Sequence, residues 1–88
     1  MFNVVLTKKA EKSFLHLPEE VQNSCGDIFD ELQFSFAPIK HDIIKMKGHN
    51  NIYRIRVGDW RIIYKVDKKI KQVIVFDILP RKIAYRNF

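Results

Sequence analysis

The chain has little cysteine: Cys25 stands alone among 88 residues, so no disulfide can form within the chain. A lone thiol suits a reducing compartment, and the expected location is the cytoplasm. Three glycines and three prolines are too few for a linker-rich or low-complexity chain. No apolar run approaches the ~18 residues that a membrane span needs. The opening "MFNVVLTKKAEKSF" lacks the basic, long apolar, then small-residue order of a signal peptide. His16, His41 and His49 have no metal-ligand spacing and no Cys/His cluster beside them. There is no phosphate-binding glycine loop, and the C-terminal half has no paired carboxylate. A catalyst built from this chain would therefore have to work with arginine, lysine and tyrosine.

What is present is a composition of one globular domain, 1–88, with 47% hydrophobic residues. Its charge is uneven. Residues 1–50 hold six Lys/Arg against seven Asp/Glu, whereas residues 51–88 hold ten Lys/Arg against Asp59, Asp67 and Asp77. A basic half beside a neutral one points to a polyanionic partner, with nucleic acid the default. A solubilising surface is the alternative.

"FNVVL" (2–6) is short, β-branched and apolar, which predicts a strand. Thr7 offers an N-cap for a helix whose face is Ala10, Phe14 and Leu17. Pro18 opens a second helix, expected over 18–36, with Glu19 and Glu20 at its positive end. Its apolar face would be Val21, Cys25, Ile28, Phe29, Leu32 and Phe36, which makes Cys25 a core residue. "APIKHD" (37–42) reads as a connection. The period then changes to two: "DIIKMKGHN" is a weak strand, and "NIYRIRV", "WRIIYKV" and "QVIVFDIL" are stronger ones. The expectation is an α+β fold, with an N-terminal strand and a two-helix hairpin packed on one face of a mostly antiparallel sheet.

The stretch "YRIRVGDWRIIYK" (53–65) carries the functional signal. A two-residue turn at Gly58-Asp59, with glycine supplying positive φ, pairs Val57 with Trp60, Arg56 with Arg61 and Tyr53 with Tyr64. Tyr53, Ile55, Val57, Trp60, Ile62 and Tyr64 then share the face the helices would cover. Arg54, Arg56, Arg61 and Lys65 share the other. Like charges facing across a sheet are destabilising, on a scale of roughly 0.2–1 kcal/mol per pair. No acid dilutes these positions, and arginine's planar fork suits phosphate oxygens. "PRKIAYRNF" (80–88) adds Arg81, Tyr85 and Arg86; a helical turn would bring Arg81 and Tyr85 together, an extended tail would not.

"KMKGHNNIYRIRVGDWRIIYKV", followed by an apolar strand and an Arg-x-x-x-Tyr near the C-terminus, resembles the RelE/ParE toxin superfamily over nearly the whole chain. The segment from Lys45 to Val66 is the most specific part. The resemblance implies a RelE-type toxin of a type II toxin–antitoxin system. Such a toxin enters the ribosomal A site and cuts messenger RNA there, without metal or other cofactor, by attack of the message's own 2′-hydroxyl. It implies a RelB-like antitoxin as partner, with operator DNA bound only through the toxin–antitoxin complex, and no membrane. Carried over, the family's site falls on Arg54, Arg56, Arg61, Arg81 and Tyr85, with Tyr85 as general base. Lys45, Lys47, Lys65 and Arg86 are expected RNA contacts. RelE itself has lysines at the positions of Arg54 and Arg56; arginine stays charged, so proton transfer is not their expected task. Two other readings share the scaffold or the charge: a ParE-like, non-catalytic inhibitor of DNA gyrase, and a non-catalytic nucleic-acid-binding module.

Overall fold

One residue serves as the boundary between the first strand and the first helix. Thr7 Oγ1 accepts from the Ala10 N–H at 3.1 Å, while its hydroxyl donates to the Phe76 carbonyl at 2.8 Å. The N-cap predicted from sequence is thus also a tie to the sheet. In the computed structural model, which describes the backbone of residues 1–87 and side chains as far as Ala84, the order is β1 (Asn3–Leu6), α1 (Lys8–Leu15), α2 (Glu19–Leu32), β2 (Ile43–Lys45), β3 (Ile52–Val57), β4 (Trp60–Asp67), β5 (Gln72–Pro80) and α3 (Arg81–Asn87). The sheet runs β1-β5-β4-β3-β2. All neighbours are antiparallel except β1 and β5. The expected α+β architecture is the one observed. No helix among the described residues is long and apolar enough to cross a membrane.

The core lies between one sheet face and the α1–α2 pair. Tyr53, Ile55, Ile62, Tyr64 and Val66 from β3 and β4, with Val73, Val75 and Ile78 from β5, meet Ala10, Leu17, Cys25, Ile28 and Leu32. Tyr53 and Tyr64, paired across the strands, stack with ring centroids 5.5 Å apart. The Tyr64 hydroxyl donates to the Phe36 carbonyl at 2.7 Å, so this buried phenol is satisfied, and burial pushes its pKa up. Cys25 is a core thiol, raised by burial to about 11.

The second helix is shorter than its periodicity predicts. It ends at Leu32 rather than running to residue 36. Phe36 leaves the helical path and packs its ring against Phe2 and Tyr53. Pro38 then discourages helix at the residue before it. Tertiary packing of one aromatic outweighs the local period.

The connection that follows is tied back to α2. Lys40 Nζ lies 2.7 Å from Glu31 Oε1, and His41 Nε2 bonds Glu31 Oε2. The hydrogen bond from Lys40, with His41 adding to it, holds the Glu31 carboxyl below its ordinary value. A lowered folded-state pKa stabilises the protein above the unfolded value and loses that contribution as acid protonates the group. Glu31→Gln is therefore expected to flatten the fall in urea midpoint below about pH 4.5, leaving the neutral-pH slope as it was. Equal acid slopes for the two proteins would remove Glu31 from the acid transition.

An arginine pocket as the candidate functional site

The hairpin turn sets the site. Gly58 takes φ +59° and Asp59 does not share a positive φ, as a II′-type turn requires. The register is the one the turn predicts, with Val57 facing Trp60, Arg56 facing Arg61 and Ile55 facing Ile62. Alternation then sends Arg54, Arg56 and Arg61 to the face opposite the α1–α2 layer.

That face is not the open cationic surface expected from the strands alone. Arg54 is 9% exposed and Arg61 only 4%. Ile63, between them in the pattern, is fully buried. The helix α3 follows β5 directly and packs against β4 and β5, with Ala84 fully buried. The Arg81 N–H donates to the Asp59 carbonyl at 2.9 Å, seating the start of α3 on the hairpin turn. Of the two conformations the C-terminal stretch could take, the structure has the helix.

Arg54, Arg56, Arg61 and Arg81 line one cavity of about 100 Å³, together with Asp42 and Ile44. Two of these arginines are floor and two are rim: Arg54 and Arg61 are buried, whereas Arg56 and Arg81 are exposed. Arg61 is held in place by the backbone it came from. Its Nη1 donates to the carbonyls of Gly58 at 3.0 Å and Trp60 at 2.9 Å. Carbonyl dipoles thus offset part of the cost of burying this charge. The cavity can take one tetrahedral oxyanion, met by guanidinium groups from β3, β4 and α3.

Arg81 reaches this pocket because of an irregularity in β5. Tyr64 faces Val75, but the preceding residue of β4, Ile63, faces Asp77, so β5 carries one extra residue there. Before the bulge the odd-numbered Val73 and Val75 fill the core; after it the even-numbered Ile78 does. The one-residue shift in alternation hands Arg81 to the arginine face. Asp77, in the bulge, turns to α1, where its Oδ1 accepts from Ser13 Oγ at 2.5 Å and from the Ile78 N–H at 2.8 Å. Lys9 Nζ lies 3.5 Å from its other oxygen. The run "QVIVFDIL" carries the signal in its broken apolar alternation, Val73 and Val75 then Ile78.

The lysines expected near the site lie apart from the pocket. Lys45 pairs with Tyr53 and so sits on the opposite face of the edge strand. Lys47 is exposed in the turn after β2. Lys65 shares the face of Arg61 but stands four residues further along β4, roughly 13 Å away. The side chains of Tyr85 and Arg86 lie outside the described residues. The residue missed from sequence is Asp42. Read as part of a connecting loop, its carbonyl accepts from the Arg56 N–H at 3.0 Å, extending the β2–β3 ladder by one step.

The arginines thus converge on one pocket from the neighbouring strands β3 and β4 and from the terminal helix α3. A sequence model of the ParE toxins of type II toxin–antitoxin systems matches residues 4–85. Toxin RelE3 of Methanocaldococcus jannaschii is 36% identical over 97% of this chain and 97% of its own. Among solved structures, the archaeal RelE–RelB complex from Pyrococcus horikoshii superposes with TM-score 0.83 at 31% identity, covering 91% of this chain and 94% of that one. The RelB–RelE antitoxin–toxin complex from Methanococcus jannaschii gives TM-score 0.81 at 34% identity, covering 96% and 98%. The chain belongs to the RelE/ParE toxin superfamily and is a RelE-type toxin of a type II toxin–antitoxin system.

Proposed function

We propose that this toxin is a ribosome-dependent endoribonuclease that cuts messenger RNA in the A site and so inhibits translation. The observation that carries the reading is the convergence of Arg54, Arg56, Arg61 and Arg81 on one phosphate-sized cavity. Attack by the 2′-hydroxyl on the adjacent phosphate builds negative charge on the phosphorane, and preorganised cations stabilise it. Arg61, fixed by two carbonyls, and Arg81 do that work; Arg54 and Arg56 orient the backbone. The message supplies the nucleophile and the ribosome its alignment with the scissile bond. Lys45, Lys47, Lys65 and Arg86 hold RNA or ribosome more peripherally, through charge. The resemblance assigns the general base to Tyr85.

A RelB-like antitoxin is the expected partner, because the similar toxins were solved as complexes with RelB. An acidic segment over the pocket would relieve the repulsion between Arg56 and Arg61, and operator DNA would be bound by that complex. The match to the ParE model favours one second reading, inhibition of DNA gyrase without catalysis.

The test is to add purified, antitoxin-free protein to programmed ribosomes and map the message ends, with ribosome-free RNA alongside. Cuts confined to A-site codons are expected. Intact message from folded protein would overturn the nuclease reading and direct the next assay to gyrase.

A further inference from the structure

The first helix grips β5 at its bulge. Thr7, the N-cap of α1, donates its N–H to the Val75 carbonyl at 3.0 Å and its hydroxyl to the Phe76 carbonyl at 2.8 Å. Further along α1, the Ser13 hydroxyl donates to Asp77. Polar groups of one short helix and its cap thus hold three consecutive residues of β5 where the register shifts. A bulge disrupts the ladder locally, and here the Asp77 carboxylate takes up the buried Ile78 N–H.

Stability does not account for this carboxylate. Asp77 is 3% exposed, and its Oδ2 has no hydrogen bond among the described residues. Lys9 Nζ, 3.5 Å from that oxygen, is on a side chain 78% exposed. A buried charge so poorly matched costs about as much as its partners return, and an apolar residue often serves stability as well. What the carboxylate supplies is direction, because it fixes the place at which β5 changes its alternation.

We propose that Asp77 is a positioning residue for Arg81, and that α1 sets the aim of this arginine through it. The inference rests on the nuclease reading above. Arg81 lies four residues on, roughly 13 Å along an extended chain, so the action runs through the backbone of β5. Within that stretch Leu79 pairs with Arg61, and at its end the Arg81 N–H bonds the Asp59 carbonyl. With Asp77 fixed at one end and the Arg81 backbone at the other, Arg81 keeps its place on the pocket wall. Released from α1, the bulge is free to slide by one residue, which returns the odd-numbered positions to the core alternation.

Two readouts separate positioning from folding. The first is single-turnover cutting on programmed ribosomes over a range of toxin concentrations. The second is the NMR signal of the Arg81 Nε–H group in antitoxin-free protein. Asp77→Ala is expected to lower the maximum rate by about 10²-fold, as a misplacement of about 1 Å does, with the half-saturating concentration within about threefold of the original. In an Arg81→Ala background the same change costs less than about threefold, because the group it aims is gone. Asp77→Asn keeps an oxygen for Ser13 and the Ile78 N–H and recovers at least about tenfold of the lost rate. Ser13→Ala frees the carboxylate from α1 but leaves it on the Ile78 N–H; it lowers the rate by at least about threefold and carries the test if Asp77→Ala does not fold. The Arg81 Nε–H signal shifts in both alanine variants. Equal fold-losses with and without Arg81, a maximum rate within about threefold of the original, or an unmoved signal overturns the proposal. If the unsubstituted toxin leaves message intact, the nuclease reading fails and the NMR signal alone decides the role of Asp77.

Discussion

Arg61→Ala is expected to lower ribosome-dependent cutting by about 10²–10³-fold, the loss typical of removing one preorganised donor from a developing oxyanion. Arg61 is the arginine with the least freedom: it is 4% exposed, and its Nη1 is tied to Gly58 and Trp60. A group held this way needs no reorganisation as charge builds at phosphorus. Stability should move little, because two effects oppose each other. The change removes hydrogen bonds to two carbonyls, each worth about 0.5–1.5 kcal/mol net. It also removes the like-charge contact with Arg56 across the strands. Arg61→Lys keeps the charge but loses the planar fork, and should fall between the two in rate. Single-turnover kinetics beside urea unfolding decide the matter. Unchanged cutting by folded Arg61→Ala would take Arg61 out of the site.

Ile78→Ala should cost about 2–5 kcal/mol in stability, a large part of the ~5–15 kcal/mol of a small domain. Ile78 is 1% exposed and is the first core residue after the bulge in β5. Its burial is also the apolar reason for the bulge. In a regular ladder Asp77 would fall on the core alternation and Ile78 on the arginine face. Shortening Ile78 weakens that preference, so Arg81 loses part of what aims it at the pocket. The expected outcome is a lower urea midpoint together with a smaller effect of Arg81→Ala on RNA binding than in the original background. A stability loss below about 1 kcal/mol would show that Ile78 is not the anchor described.

The hairpin was legible from its residues because local rules decide it. Gly58-Asp59 selects the turn, the turn selects the register, and the period of two assigns Tyr53, Ile55, Ile62 and Tyr64 to the core and the arginines to the other face. Thr7 as an N-cap and the face formed by Cys25, Ile28 and Leu32 were readable in the same way. Phe36 was not, since its helical spacing is real but its partners, Phe2 and Tyr53, are distant in the chain. Asp42 was hidden for a related reason. It stands between the connection and the first residue of the weak strand "DIIKMKGHN", and only pairing with Arg56 places it on a face.

By itself the sequence determined the strand pairing around the turn and the core face, because each rests on spacing along the chain, while the segment from Lys45 to Val66 carried the resemblance to the family. The tertiary structure alone decided that a charged face becomes a pocket. Arg54 and Arg61 are buried where alternation alone predicts an open face, Arg81 arrives through one extra residue in β5, and Asp42 joins from beside the edge strand β2. Burial and convergence are properties of segments far apart in sequence, and no local period encodes them.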